Sequence, residues 1–190
     1  MNNYPTQFIR ILAHGAAWTV LIHSMTGTVS RAETLFGHRA YQVVSESRLV
    51  PVGKYRPMGR VVKMLPTAAT AFKKMQEAAR RKGISIIPIS GFRSASDQQK
   101  LFAKAVRKYR SQERAARWVA PPGYSEHHTG LAVDIGDRAH PKCDAEPCFE
   151  RTSAYRWLVR NAAQFGFKTS FPAGGSKIRF EPWHWRFGDF

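Results

Sequence analysis

His127, Asp134 and His184 are the residues of this chain whose types and placement point most directly to chemistry. The first two lie in Ser125-Glu126-His127-His128-Thr129-Gly130-Leu131-Ala132-Val133-Asp134, and the third in Glu181-Pro182-Trp183-His184-Trp185. Alternation through Leu131, Val133 and Ile135 reads as a strand with those three facing a core, which turns Ala132 and Asp134 to the opposite face. A carboxylate inside an otherwise apolar strand is costly to bury unless it is paired or holds a metal. Gly130 allows a sharp turn that brings His127 back toward Asp134, and Ala132 leaves room for a ligand. Two imidazoles and one carboxylate suit zinc, with a fourth position open to water. Such a site lowers the pKa of its water to about 7, making hydroxide available near neutrality. Glu181, in the same short segment as His184, is then the natural general base, taking the water proton and returning it to a leaving amine. Arg93, in Ser90-Gly91-Phe92-Arg93-Ser94, can stabilise an oxyanion or hold a substrate carboxylate.

Each of these residues also has a plain structural reading. His127 and His128 would serve as surface-loop histidines, and Asp134 as a cap or turn residue ahead of Gly136 and Asp137. Glu181 would be an exposed strand charge, and Arg93 one basic residue among many. Trp183 and Trp185 read as core or cleft wall rather than as a base-stacking platform. Composition and spacing alone support a metal site only weakly.

The elements that must position these groups are readable in outline. Residues 33–60 carry Pro51, Gly53, Pro57 and Gly59 and read as an extended, turn-rich N-terminal segment ahead of a domain over 61–190. A helix follows, with Pro66 in its first turn, Gly83 past its end, and Ala68, Ala71, Phe72, Met75 and Ala79 on one face. Ile84 to Ile89 reads as a buried strand. A second helix after Ser94 is expected to bury Leu101, Phe102, Ala105, Val106 and Tyr109, and a shorter one covers Gln112 to Trp118. Thr152 or Ser153 caps a helix carrying Tyr155, Leu158, Val159 and Ala162, ended by Gly166. Lys177 to Phe187 reads as strand, with Pro182 interrupting any regular ladder. Strands and helices without a repeating βαβ array indicate an α+β fold, a small antiparallel sheet with helices packed on it.

Composition is that of one globular domain, 190 residues with 43% hydrophobic content, which excludes disorder throughout. Thirty Lys+Arg against thirteen Asp+Glu give 30 − 13 = +17, an attraction to anionic walls, membranes or nucleic acid. Arg10, the apolar run Ile11 to Ile22 and Ser30-Arg31-Ala32 together read as a signal peptide over residues 1–32, so the protein is expected to be exported. An uncleaved membrane anchor over residues 11–29 is the alternative. Removing residues 1–32 takes away Arg10 and Arg31 and no acid, leaving 28 − 13 = +15, so the basic character belongs to the remaining domain. In an exported protein Cys143 and Cys148 read as a local disulfide.

Taken together, the motifs resemble those of the zinc D-Ala-D-Ala carboxypeptidases of the VanY type. Their wider superfamily includes L,D-carboxypeptidases, endolysins of the L-alanyl-D-glutamate endopeptidase kind and the hedgehog signalling domain. The S-x-H-x-x-G-x-A-x-D motif is complete as Ser125, His127, Gly130, Ala132 and Asp134, and the E-x-W-H motif as Glu181, Trp183 and His184. Upstream, Ser90 to Ser94 supply a Ser-Gly-aromatic-Arg-Ser box in which Phe92 stands for the more usual Tyr. The resemblance implies that His127, Asp134 and His184 hold Zn2+, that Glu181 is the catalytic base and that Arg93 polarises the scissile carbonyl. It also implies that Ser125 and Gln98 lie at the substrate, Ser125 on its terminal carboxylate. The implied fold is an antiparallel sheet of about four strands flanked by helices, hedgehog-like, with zinc at one face.

The implied reaction releases the terminal D-Ala of a peptidoglycan stem peptide, with L,D-carboxypeptidase as the next reading and endopeptidase third. A hedgehog-like zinc domain used only for binding would need neither Glu181 nor Arg93. A nucleic-acid-binding role ranks last, because no base-reading motif is present. The expected state is a monomer.

Overall fold

A computed structural model describes residues 34–171, 173–174 and 177–188. The signal-peptide and anchor readings, on residues 1–32 and 11–29, lie outside the described residues. The elements in chain order are β1 (Thr34–Leu35), β2 (His38–Arg39), β3 (Val50–Tyr55), β4 (Arg60–Met64), α1 (Pro66–Arg80), β5 (Ile86–Ser90) and α2 (Ala95–Tyr109). They continue with α3 (Gln112–Ala116), β6 (Ala132–Asp137), α4 (Ser153–Asn161), β7 (Phe167–Thr169) and β8 (His184–Phe187). The α+β expectation is met: a four-stranded antiparallel sheet in the order β5-β6-β8-β7 with helices packed on it.

β6 organises the molecule. All six of its residues are buried, and it is paired on both sides. Its alternation nevertheless separates two faces, because Val133 and Ile135 enter the hydrophobic core while Asp134 lines a cleft. Antiparallel register places Asp134 opposite Ser90 on β5 and opposite His184 on β8. Directly opposed residues on one face lie within side-chain reach, so pairing the strands also brings these polar groups together.

The core lies beneath the other face. α1 buries Ala68, Ala69, Phe72, Met75 and Ala79, close to the expected face, with Ala69 fully inward and Ala71 only half-buried. Phe72 meets Phe167 of β7 edge-on, with centroids 6.1 Å apart, beside Met64, Ile135, Phe149 and Leu158. Each such side chain stabilises the fold by about 1.5–3 kcal/mol on burial. The segment read as an extended approach pairs β3 with β4 as a hairpin, and Val52, Val62 and Met64 contribute to the same core.

Three expectations change. Of the α2 residues expected inside, only Ala105 is buried, joined by Gln98, while Leu101 is 40% exposed. The helix does follow Ser94, whose Oγ caps it by accepting from Asp97 N at 3.1 Å, but it packs on short α3 and the loop bearing Trp118, which cannot cover its apolar stripe. In α4, capped by Thr152, Trp157 turns inward and Val159 is left exposed. The C-terminal stretch is strand only over His184–Phe187. Before it, residues 181–184 form a β-turn closed by His184 N–H donating to Glu181 O at 3.1 Å, with Pro182 at the second position that suits its fixed φ. Cys143 and Cys148 are joined in a disulfide between β6 and α4, as expected.

Candidate metal centre and active cleft

The 3-10 turn Glu126–Thr129 carries His127 to the sheet, and two glycines permit this path. Gly130 ends the turn at φ +68°, where a side chain would be strained and would also crowd Leu49 and Leu65. Gly91 follows β5 so closely against β4 that a Cβ would collide with the Lys63 carbonyl oxygen. Its own carbonyl is thereby left to accept from His127 Nδ1 at 2.6 Å. A carbonyl can only accept, so the Nδ1 of His127 carries the proton and Nε2 presents a lone pair, 3.3 Å from Asp134 Oδ2.

His184 is arranged the opposite way round the ring. Its Nε2 donates to Glu126 Oε2 at 2.8 Å, and Nδ1 lies 3.1 Å from Asp134 Oδ1. The two rings stand nearly perpendicular, with centroids 5.0 Å apart. One ligand atom from each of His127, Asp134 and His184 falls within 4.8 Å of the others, all three residues being buried. The three sequence-predicted ligands are thus brought together.

The remaining predicted residues line the same cleft, a cavity of about 210 Å³. Arg93 Nη2 lies 3.8 Å from Asp134 Oδ2 and donates to Ser90 Oγ at 3.2 Å, while Nη1 donates to Gln98 Oε1 at 2.9 Å. Its buried Nε has no internal partner. Gln98 spends its amide N–H on Ala120 O at 2.6 Å, so both of its polar ends are engaged in holding Arg93 and the cleft wall. Ser125 is buried at the cleft wall, next to Glu126. Larger clefts exist, one of about 530 Å³ against β3, α1 and β5, but the metal-binding group found among the described residues lies in the smaller one.

Electrostatics divide the acids into two kinds. Burial, reinforced by the charges of Asp134 and Glu126, pushes Glu181 up to about 7 despite the nearby His184 and Arg93. Burial would also raise Asp134 and Glu126, yet both are held well below the usual carboxylate range, Asp134 by His127 and His184 and Glu126 by His184 and Ser170. Burial would lower His184, but its hydrogen bonds to the two carboxylates overcome this and raise it. His127 is lowered by burial.

Two participants were not apparent from sequence. Glu126 was visible only as the residue between Ser125 and His127. The available signal was that a chain with only thirteen acids places one beside a candidate ligand. His128 is not a surface histidine: fully buried, it donates from Nδ1 to Arg93 O at 2.8 Å and accepts at Nε2 from Gly123 N at 3.1 Å. It ties the Arg93 backbone to the ligand-bearing turn.

Residues 61–189 match the family described as VanY, D-alanyl-D-alanine carboxypeptidase. The chain belongs to that family. A D-alanyl-D-alanine carboxypeptidase of Enterococcus faecalis is 36% identical over 123 residues, covering 58% of this chain and 43% of its own length. The chain therefore spans less than half the length of that curated relative. Among solved structures, the LD-carboxypeptidase LdcB is similar with a TM-score of 0.67 at 32% identity, over 77% of this chain and 69% of its own. A mutant of the vancomycin-resistance D,D-pentapeptidase VanY, solved in complex with Zn(II), gives 0.61 at 26% identity, over 80% of this chain and 86% of its own. The VanY match begins at residue 61, so the segment containing β1 and β2 lies outside the matched residues.

Proposed function

We propose that this chain is a zinc-dependent D-alanyl-D-alanine carboxypeptidase that removes the terminal D-Ala from peptidoglycan stem peptides. The observation that carries this reading is the convergence, in one cleft, of a two-imidazole, one-carboxylate group with a buried glutamate and a buried arginine. The donor chemistry fits zinc: each imidazole has its outer nitrogen engaged by an acceptor and turns its inner nitrogen to the shared centre. Held by His127, Asp134 and His184, zinc would supply Lewis-acid polarisation of a carbonyl and a water acidified to a pKa of about 7.

Glu181 takes a proton from the attacking water and returns it to the nitrogen of the departing D-Ala, so that the amide bond breaks to a neutral amine. Burial raises this carboxylate above its ordinary range, which favours both accepting the proton and giving it back. Arg93, held by Gln98 and Ser90 at the cleft wall, turns its guanidinium charge to the carbonyl oxygen on which negative charge develops. Ser125 takes the terminal carboxylate of the peptide at the cleft wall.

A second reading, removal of D-Ala from the tetrapeptide by L,D-carboxypeptidase action, is favoured by the likeness to LdcB. We place the enzyme outside the cytoplasmic membrane as a monomer. The Cys143–Cys148 disulfide supports an oxidising compartment, and a net charge of +17 supports peripheral attraction to an anionic wall or membrane. No helix among the described residues is long and apolar enough to cross a membrane.

The test is to incubate zinc-loaded protein with matched stem pentapeptide and tetrapeptide and weigh the products, with a chelator control. Loss of one alanine from the pentapeptide alone supports the leading reading, and loss from the tetrapeptide alone the second. No chelator-sensitive cleavage of either would overturn both.

A further inference from the structure

Glu126 is a buried carboxylate on which three other segments of the chain meet. Its Oε2 accepts from His184 Nε2 at 2.8 Å and from Ser170 Oγ at 2.5 Å. Its Oε1 accepts from the Tyr41 hydroxyl at 3.1 Å and lies 3.8 Å from Arg186 Nη1. Burying a carboxylate is unfavourable unless every lone pair finds a partner, and here the partners come from the N-terminal segment, the loop after β7, and β8. An ionised carboxylate only accepts, so Glu126 holds a proton on His184 Nε2, and the Nδ1 proton that faces Asp134 is the one a bound metal ion would displace.

Tyr41 reaches Glu126 because the segment carrying it is clamped to the loop that bears the other ligand. His38 Nε2 donates to Ala116 O at 2.7 Å, Tyr41 N to Gly123 O at 2.8 Å, and Val44 N to His128 O at 2.9 Å. All three acceptors belong to the stretch between α2 and β6, which also holds Glu126 and His127. None of residues 38–44 lies within the family match at 61–189.

We infer that Tyr41 and Glu126 are positioning residues of the metal centre, and that the segment around Tyr41, outside the family-matched residues, is a working part of it. Tyr41 orients Glu126, Glu126 fixes the tautomer and ring angle of His184, and Nδ1 of His184 is thereby presented with Asp134 and His127 as one preformed donor set. The inference rests on the metal-binding reading of His127, Asp134 and His184.

The test measures zinc affinity directly, by titrating the metal-free full chain with Zn2+ against a competing chromophoric chelator. The proteins are the unaltered chain, Glu126→Gln, Tyr41→Phe and Ser170→Ala. Glu126→Gln should weaken zinc binding by about 10- to 100-fold, the range for groups that support metal ligands, and Tyr41→Phe by a smaller factor in the same direction. Absorption spectra of the cobalt-substituted proteins should shift in the same order. Thermal unfolding of the metal-free proteins identifies any variant that does not fold. If Glu126→Gln is lost this way, Tyr41→Phe and Ser170→Ala carry the test, since each removes only a hydroxyl. Unchanged affinity and cobalt spectra in every folded variant would overturn the inference. Failure of the unaltered chain to bind zinc would instead overturn the metal-binding reading beneath it.

Discussion

The two histidines that face Asp134 are supported in opposite ways. His184 stands on β8, register-paired with Asp134, and its outer nitrogen rests on the buried carboxylate of Glu126. His127 stands on a 3-10 turn, and its outer nitrogen rests on the backbone carbonyl of Gly91. Both rings are buried, yet their proton affinities move apart. Burial dominates at His127 and lowers it, whereas at His184 the hydrogen bonds to Asp134 and Glu126 overcome burial and raise it. Depth of burial therefore does not by itself decide the character of a buried imidazole; the carboxylates that accept from it do.

The strongest way to break this comparison is to remove each ring in turn. His184→Ala should abolish stoichiometric zinc binding, checked by metal analysis after dialysis. It also removes an ion-pair partner from two buried carboxylates, so the metal-free protein should lose about 3–5 kcal/mol in urea unfolding. His127→Ala leaves a backbone carbonyl without its donor while Asp134 keeps His184, and should cost the metal-free protein less, about 1–3 kcal/mol. Equal losses would show that the carboxylate and carbonyl supports are equivalent.

Next in size is Glu181→Gln, at the start of the turn that leads into His184. It should retain zinc while kcat falls by about 10²–10⁴-fold, the usual worth of a general base. Full activity in that variant would separate Glu181 from the chemistry.

The same residue sets a pH dependence. A base must be deprotonated, so kcat/KM should fall tenfold per unit as pH drops below the pKa of Glu181. Burial places that pKa at about 7, and a bound dication would pull it lower. A pH-rate profile with its acid limb above pH 8 would assign the base to another group.

The smallest expected effect falls on the His127 side. Gly91→Ala drives a methyl group into the Lys63 carbonyl and the Val62 side chain, and should destabilise the fold by about 1–3 kcal/mol in thermal or urea unfolding. Because the Gly91 carbonyl supports His127, zinc affinity should drop with it. A variant as stable as the parent would show that β4 and β5 can separate without cost.

Much of this site was legible because its residues lie in short runs whose roles are local. The alternation through Val133 and Ile135 placed Asp134 on the face away from the core, and Gly130 marked the turn that returns His127. Thr152, read with Ser153 as a candidate cap, announced its helix through capping chemistry that depends only on neighbouring residues. What escaped was set by distant parts of the chain. Leu101 was expected inside on helical spacing, but what covers a helix face is decided by the element opposite, here short α3. Val159, expected inside, is exposed for the same reason, and Trp157, which the spacing did not single out, is buried instead. Glu126 carries no local signature beyond its place beside a candidate ligand, because its partners Tyr41, Ser170 and His184 lie up to 85 positions away.

The pairing of β6 with β8 has a consequence for how the molecule reaches its native state. Side chains alternate along a strand, so sliding β8 by one residue against β6 would carry His184 to the core face and bring Trp185 into the cleft. Only the native alignment presents all three donors to one point. An ion held there stabilises that alignment alone, by about 4 kcal/mol when free zinc exceeds its dissociation constant a thousandfold. Metal capture thus proofreads strand alignment, and a mispaired sheet would reveal itself by failing to hold the ion.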